Sequence, residues 1–140
     1  MKLLLAADGS KHTKKALGWL LANQAFEGPD DELIVIHVQP ALPGPVRSAV
    51  GAQTVKDYYA DECAKVLSPI ERLLRRQKIA FRTITAVGHP ATEIIRSATA
   101  QKVQLIVMGT HGRGLLGRAA MGSVAQSVLG DATVPVLMIK

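Results

Sequence analysis

Apolar residues in this chain follow two patterns that alternate along its length. Short apolar runs are typical of strands, whereas apolar residues three and four positions apart indicate one face of a helix. The runs predict strands at residues 3–7, 34–38, 81–87, 105–108 and 134–139, and the helical spacing predicts helices at 13–25, 90–100 and 124–129. This alternation predicts a parallel sheet with helices on both faces and right-handed crossovers.

The segment between the second and third strands is less regular. Residues 39–51 contain three prolines and are predicted to form a loop, which at this length is functional or mobile. An apolar stripe at helical spacing then runs from Val55 to Leu74. Ser68-Pro69-Ile70-Glu71 has the spacing of a capping box that would start a second helix, but the uninterrupted stripe favours one kinked helix.

Length and composition predict a single domain over residues 1–140. A chain of 140 residues that is 48% hydrophobic can bury a core but is too short for two ordinary domains. The first apolar run stops at Asp8, and no later run approaches the ~20 residues of a membrane span, so a cytoplasmic protein without membrane association is expected. Cys63 is the only cysteine, and its helical spacing predicts a buried structural thiol.

The net charge of +6 raises the possibility of a nucleic-acid partner. The cations form two separate groups, Lys11, Lys14 and Lys15 on the first helix and Arg72, Arg75, Arg76 and Lys78 at the end of the long stripe. Cations at the end of a helix are favoured by its dipole alone, and the aromatic residues are not interleaved with them in an RNA-binding pattern. Solvated helix faces are therefore expected, and no nucleic-acid partner.

The segment LIVMGTHGRGLLGRAAMGSV, residues 105–124, reads as strand, glycine-rich loop and helix start, which favours an anionic ligand such as phosphate. Gly112, Gly114 and Gly117 fit the dinucleotide fingerprint, but no acidic residue closes a second strand about 20 positions later, where that motif needs one to hold the ribose. Gly112 and Gly117 also have P-loop spacing, yet Arg118 and Ala119 stand where that motif needs Lys and Ser or Thr.

A third pattern fits better. Gly109, then Gly112 after two residues, then Gly122-Ser123 after nine, closely resembles the nucleotide-binding signature of the ATP-binding branch of the universal stress protein family. The segments LLLAADGSKHTKKAL, ELIVIHV and VPVLMIK also resemble the opening, second and closing strands of that family, while residues 39–54 match no motif.

The resemblance implies a flavodoxin-like (adenine nucleotide alpha hydrolase-like) α/β fold, an open five-stranded parallel sheet of order 3-2-1-4-5. Ligands of such sheets bind beyond the carboxyl ends of the strands, where the strand order reverses. Asp8, Val38 and Gly109 each stand at such an end, so they are expected to face one crevice.

The resemblance further implies that this crevice binds ATP with Mg²⁺ or Mn²⁺. Ala6 and Val38 would meet the adenine through backbone groups, and Asp8 would lie near the base or ribose or organise a hydrated metal ion. His111 and Arg113 would add positive charge. The complete set of expected binding residues is Ala6, Asp8, Val38, Gly109, His111, Gly112, Arg113, Gly122, Ser123 and Val124.

The glycines and the serine of the motif have separate expected roles. Gly109 and Gly112 would let the loop wrap the ribose and phosphates, because glycine has no Cβ to obstruct a ligand. Gly122 and Ser123 would offer helix-start N–H groups and a hydroxyl to the terminal phosphates.

Several of these polar residues also have structural interpretations. Asp8-Gly9-Ser10 has the composition of a turn and helix cap that needs no ligand. His37, at the end of an apolar strand, is expected in the core with a hydrogen bond to the backbone. His12 and His89 are expected at exposed helix starts.

No catalytic residue and no protein-bound metal are predicted. The four histidines lack metal-ligand spacing, and there is no Gly-x-Ser-x-Gly nucleophile elbow. Of the groups that phosphoryl transfer recruits, only Asp8, His111, Arg113 and Ser123 are present. The sequence thus predicts a nucleotide-linked stress or regulatory protein with an unidentified protein partner. A slow ATPase using the same crevice and a dimeric stress protein without nucleotide are the alternatives.

The apolar C-terminal strand indicates how the chain would associate with a second copy. It is apolar on both faces, and the implied order leaves it at a sheet edge, where unpaired backbone and exposed apolar surface favour association. A homodimer through the C-terminal strand is therefore expected, as the resemblance also implies.

Overall fold

The structure, a computed structural model, describes residues 1–23, 28–111 and 121–140. The strands in these ranges are β1 (Lys2–Ala6), β2 (Glu32–Gln39), β3 (Phe81–Val87), β4 (Leu105–Gly109) and β5 (Val136–Ile139). The helices are α1 (Lys11–Ala22), α2 (Gly44–Val50), α3 (Ala52–Arg76), α4 (Pro90–Ala100) and α5 (Ser123–Asp131). None of these helices combines the length and apolar character needed to cross a membrane.

All strand pairs are parallel, and the order is β3-β2-β1-β4-β5, which confirms the predicted fold class. Leu3 and Leu5 of β1 pack with α1 and α3 on one face, and Leu4 and Ala6 pack with α4 and α5 on the other. Because helices cover both faces of this central strand, its apolar run is continuous rather than alternating.

The prediction of a loop at residues 39–51 is wrong, because α2 forms within it. Pro43 is the N-cap of α2, and Pro45 lies in the first turn, where a fixed φ suits a helix and a missing N–H removes no bond. Gly51, with φ of 86°, follows its end. No residue of α2 is buried, so it has no apolar stripe from which the sequence could have revealed it.

The long stripe forms one helix, α3, which continues through Pro69. The interpretation as a single helix is confirmed, and no new helix begins at Ser68. Val66, Leu67, Ile70 and Leu74 are buried against the sheet. Cys63 is also buried, as predicted, and burial raises the pKa of its thiol.

Candidate functional site

A cavity of about 770 Å³ opens at the carboxyl ends of β1, β2 and β4. Its volume lies within the range of small-molecule sites. Residues of α4, the start of α5, Thr13 of α1 and Glu62 of α3 also line it, as do Asp8, Pro40 and His111 just beyond the strands. The cavity therefore includes the point between β1 and β4 where this doubly wound sheet reverses its strand order, and it extends beside β2.

The structure brings most of the predicted binding residues together. Eight of the ten lie in described ranges, and all eight line the cavity: Ala6, Asp8, Val38, Gly109, His111, Gly122, Ser123 and Val124. Gly112 and Arg113 lie outside the described residues. Residues from four separate parts of the chain thus share one concave surface.

The end of β1 explains why the cavity opens beside β2. The last β1–β2 pair joins Ala6 to Ile36, and Ala7 N donates to Ile36 O at 2.8 Å. Along a strand, backbone groups two residues apart face the same side, so those of Val38 also face the β1 side. Because β1 has ended there, the Val38 backbone borders the cavity.

His37 fastens the ends of β1 and β2 together. It is only 5% exposed, and its Nδ1 lies 2.8 Å from Ala7 O. Its Nε2 lies 3.2 Å from Gln39 Oε1. The predicted core histidine bonded to the backbone is confirmed.

Asp8 organises the turn that leads into α1. Its Oδ1 accepts hydrogen bonds from Ser10 N at 2.9 Å and from Thr13 Oγ1 at 2.7 Å, while Asp8 N donates to Thr13 Oγ1 at 3.0 Å. Ser10 is the N-cap, and its Oγ accepts from Thr13 N at 3.3 Å. The turn-and-cap interpretation is confirmed, and the same Asp8 also lines the cavity.

Gly109 has a structural reason to be glycine that the sequence did not reveal. A Cβ at this position would lie 2.5 Å from His12 Cβ and 2.9 Å from the backbone carbon of His12. The absent side chain therefore lets α1 approach β4 closely. From the sequence alone, the only reason predicted for this glycine is space for a ligand.

The prediction that His12 is exposed is wrong. His12 is half-buried in the first turn of α1, its Nδ1 is buried without a hydrogen-bond partner in the described part of the chain, and its ring centroid lies 4.9 Å from that of His111. Burial, followed by the charge of His111, lowers the pKa of His12 below its usual 6.5. His89, in contrast, is the exposed N-cap of α4, as predicted.

Thr110 connects β4, β5 and the start of α5. Its N donates to Ile139 O at 3.0 Å, its carbonyl accepts from Gly122 N at 2.8 Å, and its hydroxyl lies 2.9 Å from His111 Nδ1. The sequence signals none of these contacts. Since Gly122 N bonds to Thr110, the expectation that it is offered to phosphate is corrected.

Three residues of α5 have N–H groups that precede its first intrahelical bond, which runs from Gln126 N to Gly122 O at 2.9 Å: Ser123, Val124 and Ala125. Gly122 is the N-cap of α5. Because glycine has no side chain, the cap residue provides no side-chain oxygen to accept hydrogen bonds from the N–H groups of the first turn.

Sequence reasoning missed most of the apolar wall of the cavity. Ile36, Ile94, Met108, Met121 and Ala125 belong to or pack against the core beneath α4 and α5, and their ends reach the cavity. Only the register of the sheet reveals which core residues lie nearest the strand ends. Within the described ranges, no three His, Cys, Asp or Glu side chains form a group that could hold a metal ion.

Comparison with known proteins identifies similar chains. The sequence profile of the universal stress protein family matches residues 1–140. The universal stress protein YxiE of Bacillus subtilis is 31% identical over 147 residues, covering 99% of this chain and 98% of YxiE.

Solved structures are similar over nearly the whole chain. The structure of MJ0577, a universal stress protein of Methanocaldococcus jannaschii, aligns with a TM-score of 0.82 and 27% identity over 99% of this chain and 94% of that one. The universal stress protein from Archaeoglobus fulgidus in complex with dAMP has the same fold, with a TM-score of 0.70 and 24% identity over 100% of this chain and 98% of that one.

Proposed function

Because the chain belongs to the universal stress protein family, we propose that its cavity binds an adenine nucleotide, ATP with Mg²⁺ or Mn²⁺, and that the whole chain is one nucleotide-binding domain of a cytoplasmic stress or regulatory protein. The observation that carries this proposal is the convergence of eight predicted binding residues on one cavity of nucleotide size. The A. fulgidus relative in complex with dAMP supports the choice of an adenine nucleotide.

The end of the cavity near β2 suits the adenine. Val38 offers backbone groups where β1 ends, Ala6 lines the same cavity, and Ile94 and Met108 supply apolar surface for a flat ring. A base edge is read by hydrogen bonds while its faces need apolar contact, and this region provides both. Asp8 lies beside it, close enough in the proposed arrangement to meet the base or ribose.

The start of α5 suits the phosphates. The N–H groups of Ser123 and Val124 and the hydroxyl of Ser123 stand at the positive end of the helix dipole. His111 lines the same cavity and can add a positive charge. The divalent ion would be held chiefly by the phosphate oxygens and water, as is usual for Mg²⁺ with nucleotides.

The proposal is tested by denaturing the purified protein and identifying any released small molecule by mass, followed by calorimetric titration of nucleotide-free protein with ATP and Mg²⁺. We expect an adenine nucleotide in the first experiment or saturable binding in the second. A protein that carries no nucleotide and gives no binding at millimolar ATP would contradict the proposal.

ATP turnover is expected to be slow, well below the ~1 s⁻¹ at the low end of ordinary enzymes. Backbone amides and one hydroxyl bind the ground state, and such binding lowers no barrier unless it strengthens in the transition state. Phosphate release under saturating ATP and Mg²⁺ measures this. Turnover at ordinary enzymatic rates that is lost in a Ser123→Ala variant still able to bind ATP would instead establish the ATPase alternative.

We further propose a homodimer through β5, an edge strand of the described sheet whose four residues are all half-buried. The carbonyls of Pro135 and Ile139 accept hydrogen bonds from Ile106 N and Thr110 N, so the backbone groups of these two residues face β4. Because backbone groups of successive residues face opposite sides of a strand, those of Met138 face the open edge of the sheet. Met138→Pro would remove an outward N–H without removing a β4–β5 bond.

Light scattering at micromolar concentration is expected to give a dimer for the wild type and for Met138→Val, and a monomer for Met138→Pro. A wild-type protein that is monomeric under these conditions would contradict the dimer. Deletion of residues 136–140 should also disrupt it.

A further inference from the structure

Two histidines stack against each other at the border of the cavity. His12 comes from the first turn of α1 and His111 from the segment after β4, and their ring planes are tilted by 39° at a centroid distance of 4.9 Å. Of the two, His111 belongs to the cavity lining. The pair therefore places one imidazole in the wall of the cavity and a second one beside it, outside the lining.

The geometry indicates that His12 is the neutral member of the pair. Its Nδ1 is buried and has no hydrogen-bond partner in the described residues, so a protonated ring would bury an N–H donor without an acceptor. Burial, the charge of His111 and the nearby Lys11 and Lys15 all lower the pKa of His12, and Asp8 alone among the contributing groups opposes them.

His111 has a hydrogen-bond partner on Thr110 that suits either form of its ring. Its Nδ1 lies 2.9 Å from Thr110 Oγ1, and a hydroxyl can donate to a neutral ring or accept from a protonated one. Thr110 is only 7% exposed and is fixed by backbone hydrogen bonds to Ile139 and Gly122. Thr110 thus presents its hydroxyl to His111 from a fixed position.

We propose that a nucleotide phosphate bound in this cavity draws a proton onto His111, so that nucleotide affinity falls as the pH rises. The inference rests on the proposed nucleotide binding. An anion beside His111 favours the charged imidazole, and a ligand that prefers the protonated site takes up a proton when it binds. Below the pH at which the free site is already protonated, no further proton is taken up and the affinity becomes constant.

The groups around the two histidines affect a positive charge on His111 in different ways. His12 acts as a positioning residue, since a neutral ring beside His111 permits a charge there that a protonated ring would oppose. Lys11 and Lys15 are close enough to disfavour a proton at His12. Among the cavity residues, the carboxylates of Asp8 and Glu62 favour positive charge, although Glu62 is already paired with Lys65 at 2.7 Å.

The experiment is calorimetric titration with ATP and Mg²⁺ at pH 7.5 in two buffers of different ionisation enthalpy, which counts protons taken up on binding. We expect uptake of up to one proton by the wild type and none attributable to the protein in His111→Asn. One linked proton changes affinity at most tenfold per pH unit, so wild-type binding is expected to weaken between pH 6.5 and 8.5 by up to about 100-fold more than binding of the variant does.

Two controls identify the source of the proton. His111→Asn titrated in parallel subtracts the ionisation of ATP itself, and adenosine, which lacks phosphate, should bind without proton uptake. His12→Phe retains a neutral ring beside His111 and should retain the uptake, with circular dichroism confirming its fold.

Wild-type binding without proton uptake, or uptake that persists in His111→Asn and disappears in His12→Phe, would overturn the inference and leave the proposed function intact. Absence of any ATP binding would overturn the proposed function and the inference with it.

Discussion

Replacing Gly122 with valine is expected to abolish nucleotide binding while the protein remains folded. Gly122 is buried and lines the cavity at the start of α5, so the new side chain would occupy space proposed for the phosphates. Its φ of −60° and ψ of 155° are values that a β-branched residue adopts without strain. The hydrogen bond from its N to Thr110 O can also be kept. The loss should therefore reflect the ligand's space rather than the fold.

The matched control for this variant is Gly130→Ala, a glycine substitution in the same helix. Gly130 is exposed, and a Cβ there would meet no atom within 4 Å. Calorimetric titration with ATP and Mg²⁺ should give no detectable binding for Gly122→Val and wild-type affinity for Gly130→Ala. Equal affinity of the wild type and Gly122→Val would mean that any nucleotide binds elsewhere.

Gly109→Ala is expected to destabilise the protein by about 1–3 kcal/mol, the usual effect of forcing extra volume into a packed interior. The added Cβ would lie 2.5 Å from His12 Cβ and 3.0 Å from the backbone oxygen of His12. These atoms of His12 cannot move by rotation of its side chain, because they are its Cβ and its backbone. The helix α1 must therefore shift relative to β4. This shift would also displace the His12 ring from His111 and weaken nucleotide binding as a secondary effect.

Gly18→Ala provides the comparison on α1 itself. Gly18 is exposed in the middle of the helix, and a Cβ there would meet nothing within 4 Å. Because alanine favours helices over glycine by up to about 1 kcal/mol, this variant should equal or exceed the wild type in stability. Urea denaturation measures both variants. If the free energy of unfolding of Gly109→Ala matched that of the wild type, the close α1–β4 contact would be contradicted.

The sheet could be predicted because its strands carry a strong local signal. Residues of β1 and β2 are apolar on both faces, since helices bury both, and turn residues such as Asp8 mark where they end. The same local signal predicts where the cavity lies. Because parallel strands end at one edge of a sheet, Asp8, Val38 and Gly109 are expected together, and all three line the cavity.

What the sequence could not reveal depends on contacts between distant segments. The contact of His12 with Gly109, and the hydrogen bonds from Thr110 to Ile139 and Gly122, arise only when α1, β4 and α5 pack. No local spacing encodes them, so His12 was expected at the surface. The helix α2 escaped prediction for the opposite reason, because it packs no buried residue and has no apolar periodicity.

A crystal structure of the protein grown with ATP and Mg²⁺ tests nucleotide binding in the cavity most directly. We expect density for the nucleotide at the strand ends, with the adenine beside Ala6 and Val38 and the phosphates beside His111 and Ser123. Nucleotide density at another surface, or an empty cavity at saturating ATP, would contradict the proposal.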